Sequence, residues 1–462
     1  MLCRTIVSKN FKFLENNKKY NINDLYHRID YWKYALRWHC DAKSGDKIAL
    51  GITEIDFDYI AIVFACLELG LQFVVLDYSS NADKLGIKDF KNDVYGKIDI
   101  FLHYLPNDYG KLDYYSARSE KVFNKTDLLN LPIDRQKYNS ARQIYCSDDT
   151  DMLFCTSSGT TGTPKIVKHN HKFMYELVQR NKKLYKGSAL HIRNLHHGSS
   201  LAVYFLPTLA SDDVDFHMGY GYNVQTEKEL TQVAKIASEN NIKNISFPFS
   251  IDIDIFLKVA DDNGYKFTNI NLYTLSYVNP DWKNYFSLGI NKFESIFGCN
   301  ETSGPLFLSQ LVKDKNFSPV EFMKIDDFYK FTLHKNKIDV QLPVYNTTIE
   351  MNDIFEIQNN IYVHKGRQDI VKINQIELNL QELSNIPDQF DIDGEIITDT
   401  VYNKLYLALW NDTDTTKIDL LKSYISQINP RLQIDETKYI DKNNFFRGIK
   451  IDKEMIRDYF RC

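Results

Sequence analysis

The chain has 462 residues, enough for two or three domains, and its 44% hydrophobic and 14% aromatic content is typical of folded globular proteins. Lys and Arg total 56 against 61 Asp and Glu, and the net charge of −5 argues against a general attraction to nucleic acid or anionic lipid. Seven cysteines without a CxxC pair argue against a disulfide framework or a zinc site. The sequence has no apolar run of about 18 residues and no signal-peptide pattern, so we expect a cytoplasmic protein.

Strands and helices alternate in the first part of the chain. Apolar residues at helical spacing predict a helix within 20–40, followed by a buried strand over Lys47–Ile52. A second helix is predicted over Phe57–Leu69, closed by Gly70, and a further strand over Phe73–Leu76. This alternation predicts a parallel α/β layer.

A loop rich in hydroxyls and glycine follows the apolar strand Met152–Cys155. Glycines let the backbone approach a ligand closely, and the lysine adds a positive charge, so we expect the loop to hold a polyphosphate. Pro164 before the lysine and Ile166 after it exclude the P-loop pattern of kinases and GTPases. The alternative is a flexible linker, which rarely follows an apolar strand directly. The candidate residues are Ser157, Ser158, Gly159, Thr160, Thr161, Gly162 and Lys165.

A second group of candidates follows another predicted strand. Phe297 precedes a glycine and offers an aromatic ring for stacking, and Asn300 offers an amide N–H donor. Glu301 is a candidate Mg²⁺ ligand, because Mg²⁺ takes oxygen ligands and is often held by one carboxylate together with phosphates. The alternative interpretation is an acidic turn that caps a helix.

A third group lies on a predicted strand pair, Ile354–Ile357 and Ile361–Val363, joined by a hairpin turn at 359–360. Asp353 opens this pair, and its carboxylate is suited to accept two hydroxyl donors at once. Arg367 and Asp369 follow it. The alternative is a surface hairpin with salt bridges. Farther on we predict two strands over 395–409, a helix over 419–428 and then further strands.

Taken in order, these motifs resemble the signature of the adenylate-forming superfamily, which includes acyl- and aryl-CoA synthetases, luciferases and nonribosomal peptide synthetase adenylation domains. His171 lies six residues after Lys165, as in that pattern. Lys450, which is followed by Ile451, Asp452 and Lys453, resembles the family's closing lysine motif with one residue inserted before it.

The resemblance implies an α/β fold with a large N-terminal domain of layered α/β subdomains plus a small barrel. A small mobile α+β C-terminal domain follows it. The implied boundaries are 1–367 for the N-terminal domain, which binds ATP and carboxylate, and 368–462 for the C-terminal domain, which carries the catalytic lysine. Asp369 would be the hinge.

The resemblance also implies an AMP-forming ligase that uses ATP and Mg²⁺ to convert a small carboxylic acid into an acyl-adenylate. The loop would hold the β- and γ-phosphates, and Glu301 the Mg²⁺. Asn300 and Lys450 would neutralise the α-phosphate, with Lys450, Glu301 and Asn300 as catalytic residues. Phe297 would stack on adenine, and Asp353 and Arg367 would hold the ribose. Neither nucleic acid nor membrane is expected as a partner.

In this family the segment before the predicted helix Leu201–Leu209 lines the carboxylate pocket. Alignment without gaps places His197 at the entrance to the pocket and Gly198 where amino-acid-activating domains carry an aspartate. Because a buried ammonium without a carboxylate partner is costly, an α-amino acid substrate is disfavoured. The alternative for His197 is a locally bonded histidine at a helix start.

Several positions depart from the family pattern. Gln375 replaces the glycine that lets a pantetheine arm approach, and the segment 276–279 lacks the usual glycine pair under adenine. The acceptor of the acyl group therefore stays open between the thiol of CoA or of a carrier protein and an amine. A further alternative is a catalytically inactive interaction protein that binds nucleotide or adenylate.

Overall fold

A computed structural model describes most of the chain. The residues outside the description are 1–5, 53, 76–93, 105–111, 158–164, 194–199, 221–225, 248–249, 276, 314, 316, 335–336, 346, 368–369, 375, 400, 411–413, 441–445, 448–449, 452 and 462. Among the described helices, none has the length and apolar content needed to cross a lipid bilayer.

The first part of the chain contains β1 (Lys12–Glu15), β2 (Lys18–Asn21), α1 (Ile22–Trp38), β3 (Lys47–Ile52), α2 (Phe57–Leu69), β4 (Gln72–Val74), β5 (Ile98–Tyr104), α3 (Leu112–Ala117), β6 (Ser119–Asn124), α4 (Lys125–Leu128), α5 (Arg135–Arg142), β7 (Asp151–Ser157) and β8 (Lys165–Asn170). Six of these strands form one sheet in the order β6-β5-β3-β4-β7-β8, whereas β1 and β2 belong to a second sheet. The pairs of the six-stranded sheet are parallel except β7 with β8, which is antiparallel. The parallel α/β layer predicted from the sequence is therefore confirmed.

Capping residues define the start of helix α1 and the end of helix α2. The side chain of Asn21 accepts hydrogen bonds from the backbone N–H groups of Asn23 and Asp24, and the Asp24 carboxylate accepts one from the Asn21 backbone. Together these bonds form a capping box, which satisfies N–H groups that lack a partner within the helix. Helix α2 ends at Gly70, whose φ of +72° favours glycine. The predicted end of this helix is confirmed.

A second sheet has 13 described strands. Its edge strand β2 pairs antiparallel with β1, and β1 begins a run of six strands that pair in parallel. The predicted helix over Leu201–Leu209 is present, but its first part has π-helical geometry. The elements of this part are α6 (His171–Asn181), β9 (Ala189–His191), a π-helix (Ser200–Phe205), α7 (Leu206–Ala210), β10 (His217–Gly219), α8 (Glu227–Glu239), β11 (Asn244–Phe247), α9 (Ser250–Asp262), β12 (Ile270–Thr274), a 3₁₀ helix (Pro280–Leu288) and β13 (Ile290–Phe297). A short 3₁₀ turn, Lys182–Leu184, follows α6.

Antiparallel strands extend this sheet beyond β13, within the segment expected to form a small barrel. They are β14 (Phe307–Val312), β15 (Glu321–Lys324), β16 (Lys330–His334), β17 (Lys337–Leu342), β18 (Thr347–Gln358) and β19 (Ile361–Arg367). Asn359 and Asn360 connect β18 and β19, with φ of +50° and +64°. Positive φ at both central residues is typical of a two-residue hairpin turn, so the predicted hairpin is confirmed.

The last part of the chain has a hydrophobic core of its own, whose buried residues come from 373–432. The strands predicted over 395–409 are confirmed. The predicted start of the following helix was wrong by four residues, because Asp414 caps it by accepting from the Thr416 N–H. The last helix has no counterpart among the predicted elements. The elements are β20 (Ile370–Ile373), β21 (Ile376–Asn379), α10 (Leu380–Gln389), β22 (Gly394–Asp399), β23 (Lys404–Leu409), α11 (Thr415–Ile428), β24 (Ile434–Tyr439), β25 (Phe446–Arg447), β26 (Lys450–Ile451) and α12 (Lys453–Arg461).

Candidate active site

The candidate phosphate loop connects two antiparallel strands. Strand β7 ends at Ser157, β8 begins at Lys165, and these two residues are paired across the ladder. Strand β7 also pairs in parallel with β4, so the loop leaves the carboxyl end of a parallel strand, where α/β sheets commonly bind ligands. Of Ser157 and Lys165 only the backbone is described. The candidates Ser158, Gly159, Thr160, Thr161 and Gly162 lie outside the described residues.

The second candidate group occupies a tight turn between β13 and β14. The backbone oxygen of Cys299 accepts from the N–H of Ser303 at 3.0 Å and from the hydroxyl of Thr302 at 3.0 Å. Gly298 is needed here, because a Cβ at this position would lie 2.4 Å from the backbone oxygen of Gly304. These contacts fix the backbone of the turn that presents Asn300 and Glu301, both partly exposed.

One buried histidine ties this turn to the strand that follows the phosphate loop. Nε2 of His169, in β8, donates to the backbone oxygen of Asn300 at 2.8 Å. The His169 ring is 1% exposed and stacks on Phe173 with 5.0 Å between ring centroids. Burial lowers the pKa of His169, and the bond to Asn300 and the charge of Glu301 only partly oppose this shift. A neutral imidazole with its proton on Nε2 satisfies this geometry.

The Glu301 carboxylate interacts electrostatically with a cysteine of β7. Burial raises the pKa of Cys155 in β7 to about 12, and the Glu301 carboxylate is the next largest cause. The same two causes raise the pKa of Cys299 to about 12. The electrostatic influence of the Glu301 carboxylate therefore extends to the strand that leads into the phosphate loop. Within the described part of the chain no three His, Cys, Asp or Glu residues cluster as a metal site. A single carboxylate nevertheless suits Mg²⁺ that is also held by phosphates.

The third candidate group lies on the hairpin of β18 and β19, where Asp353 and Arg367 are directly paired. Asp353 is 7% exposed, and its Oδ1 accepts a hydrogen bond from Nε2 of His364 at 3.0 Å. The other ring nitrogen of His364, Nδ1, is hydrogen-bonded to the hydroxyl of Tyr277. Only the backbone of Arg367 is described.

Phe297 connects the second candidate group to the third. Its ring centroid lies 5.2 Å from that of His364 and 5.5 Å from that of Phe355, which faces His364 across the hairpin. Tyr277 follows β12 and Phe297 ends β13, and these neighbouring strands are parallel. Their carboxyl ends therefore meet at the same edge of the sheet, next to the Asp353 hairpin.

The remaining candidates have no described side-chain contacts. His197, Gly198 and Asp369 lie outside the described residues. Lys450 begins β26 and its backbone is paired with Arg447, but its side chain is not described. Three residues that join the groups were not among the predicted candidates, namely His169, Tyr277 and His364. Only Tyr277 had a signal, since it lies in a segment that departs from the family pattern.

No protein family model matches the chain, and no curated protein matches it. Solved structures do match it over nearly its whole length. A double mutant of o-succinylbenzoate CoA synthetase from Bacillus subtilis, bound with a product analogue, has a TM-score of 0.69 at 13% identity, covering 99% of this chain and 96% of that one. An artificially fused adenylation–PCP di-domain of a nonribosomal peptide synthetase from Klebsiella oxytoca has a TM-score of 0.64 at 14% identity, covering 98% and 94%.

A third structure, an anthranilate CoA ligase in complex with anthranoyl-AMP, has a TM-score of 0.60 at 10% identity and covers 98% of this chain and 94% of that one. At such low identities the similarity establishes the fold. It also agrees with the mixed α/β sheets of the first 367 residues and the further sheets that follow them.

Proposed function

Because the chain has the fold of the adenylate-forming enzymes, we propose that it is an AMP-forming carboxylate ligase. It would use ATP to convert a carboxylic acid into an acyl-adenylate and release pyrophosphate. The observation that carries the proposal is a set of contacts through which two histidines join the candidate groups. His169 bonds the strand after the phosphate loop to the turn of Glu301, and Phe297 contacts His364, which bonds Asp353.

The proposed reaction needs positioning and charge stabilisation. A carboxylate oxygen of the acid forms a bond to the α-phosphorus of ATP, the bond from that phosphorus to the bridging oxygen breaks, and pyrophosphate leaves with the electron pair. A carboxylic acid is already ionised at neutral pH, so no general base is required. The protein has to hold two anions together and stabilise the charge on the transferred phosphoryl group.

Each candidate residue has a proposed part in this arrangement. The Ser, Thr and Gly groups of the loop and Lys165 would bind the β- and γ-phosphates through N–H, O–H and ammonium donors. Asn300 and Lys450 would donate to the α-phosphate. Phe297 would stack on adenine, while Asp353 and Arg367 would hold the ribose. Glu301 would hold a Mg²⁺ ion, which when bound supplies positive charge to the phosphate oxygens.

The proposal also covers the binding of the carboxylic acid and the transfer of its acyl group to an acceptor. His197 and Gly198 would line the pocket for a small carboxylic acid. The acyl group would then pass to the thiol of CoA or of a carrier protein, or to an amine, after the domain of 368–462 turns about Asp369. Two of the similar structures carry such acceptors in their names, a CoA synthetase and an adenylation–PCP di-domain.

ATP–pyrophosphate exchange over a panel of carboxylic acids tests the proposal. We expect exchange that depends on one class of acid and on Mg²⁺, and that falls about 10²–10³-fold in Lys450→Ala. Equilibrium titration with ATP should accompany the assay. Nucleotide binding without exchange for any acid would contradict the ligase and would instead indicate an inactive nucleotide-binding protein.

A further inference from the structure

His364 is held from both sides by polar side chains. Its Nε2 lies 3.0 Å from Oδ1 of Asp353, and its Nδ1 is hydrogen-bonded to the hydroxyl of Tyr277. An ionised carboxylate only accepts hydrogen bonds, so Nε2 is the donor to Asp353. In the neutral tautomer with its proton on Nε2, Nδ1 accepts from the Tyr277 hydroxyl. The three side chains thus form a continuous chain of hydrogen bonds that ends at the carboxylate.

Aromatic rings fix the plane of this imidazole. Ring centroids of Phe355, Phe297 and Phe322 lie 4.9, 5.2 and 6.5 Å from that of His364. Only 7% of His364 is exposed, as is 7% of Asp353. In such a poorly solvated environment a charge-assisted hydrogen bond is stronger than in water. The orientation of the Asp353 carboxylate is therefore set by a ring that cannot easily turn.

We infer that His364 is a positioning residue for the sugar of the bound nucleotide. This inference rests on the proposed function, in which Asp353 accepts the ribose hydroxyls. A carboxylate binds two adjacent hydroxyls well only in one orientation, and His364 holds it there. The same ring also contacts Phe297, the candidate for adenine stacking.

The inference predicts a loss that is specific to the ribose hydroxyls. His364→Phe keeps a ring among the surrounding aromatics and removes both hydrogen bonds. We expect the KM and the Kd for ATP to rise about 10-fold, the scale of one charge-assisted hydrogen bond, with kcat changed less than about twofold. The Kd for 2′,3′-dideoxy-ATP, which lacks both hydroxyls, should stay within about twofold of the wild-type value, so selectivity for ATP falls.

Two further variants keep the test independent of one substitution. His364→Gln retains an N–H donor and should recover part of the selectivity. Tyr277→Phe removes only the hydroxyl that bonds Nδ1 and should shift selectivity in the same direction by a smaller factor. Phe331→Leu, which changes packing against Phe307 and Tyr362 in the same sheet, is the matched control and should leave the ratio of the two Kd values unchanged.

A double-mutant cycle shows whether His364 acts through Asp353. In an Asp353→Ala background, His364→Phe should have no further effect on the Kd for ATP. Two results would overturn the inference while leaving the ligase proposal intact. One is an equal loss of affinity for ATP and for the dideoxy analogue. The other is a double variant whose Kd for ATP rises by the product of the two single effects. A wild-type protein that binds neither nucleotide in the titration would overturn both.

Discussion

Nε2 of His169 donates to the backbone oxygen of Asn300 at 2.8 Å, across 131 positions of sequence. The bond joins the strand that follows the candidate phosphate loop to the turn that presents Glu301. Neither partner can shift without disturbing the other, because His169 is buried and stacked on Phe173. The spacing between the candidate phosphate and magnesium groups depends on this contact.

His169→Phe should lower adenylation by about 10-fold, since a buried carbonyl that loses its donor costs about 1–3 kcal/mol and frees the turn to move. The expected change is in kcat of pyrophosphate exchange. His169→Gln keeps a donor and should recover part of the rate. Equal rates in wild type and His169→Phe would show that the bond does not set the geometry of the site.

Lys450→Ala should reduce adenylation by about 10²–10³-fold, the scale for loss of one pre-organised donor to the transferred group. Initial rates of pyrophosphate exchange at saturating ATP measure it. Lys404→Ala, an exposed lysine of β23, serves as the control and should leave the rate unchanged. An unaltered rate in Lys450→Ala would remove this lysine from the mechanism.

Glu301→Gln should raise the Mg²⁺ concentration that gives half-maximal exchange by about 10-fold or more, because an amide replaces the carboxylate charge that Mg²⁺ prefers. A magnesium titration of the exchange rate measures the shift. Asp327→Asn, at a side chain that is 99% exposed, is the charge-matched control. The same midpoint for wild type and Glu301→Gln would exclude Glu301 as a metal ligand.

Stability should fall on acidification because two histidines are buried together. Nε2 of His191 lies 3.2 Å from Nδ1 of His217; burial lowers the pKa of His191 to about 3 and holds that of His217 well below its ordinary value. Below about pH 6.5 the unfolded chain binds more protons at these positions than the folded protein does. For each of the two histidines, the free energy of unfolding therefore falls by about 1.4 kcal/mol for every pH unit below about pH 6.5.

Urea unfolding at about pH 7.5 and about pH 5 measures this slope. His191→Leu should be less stable at neutral pH yet lose less stability on acidification than wild type, because one proton-binding difference is gone. Identical pH slopes for the two proteins would show that His191 is not the group responsible.

Local patterns of the sequence determined the elements that the site is built on. Apolar spacing and Gly70 predicted the helix Phe57–Leu69 correctly, and the two asparagines at 359–360 predicted the hairpin that carries Asp353. Such features depend on backbone preferences of a few neighbouring residues, so they can be read without knowing the rest of the fold. The order of the motifs along the chain also predicted the fold class.

Only the tertiary structure decided which side chains meet. His169 contacts Asn300, and His364 contacts Tyr277 across 87 positions, because strands distant in sequence lie side by side and their registers bring these groups together. Local periodicity specifies the face on which a residue lies but neither the order of strands in a sheet nor the register between them. The contacts between the candidate groups therefore follow from long-range packing, and the sequence alone left them undetermined.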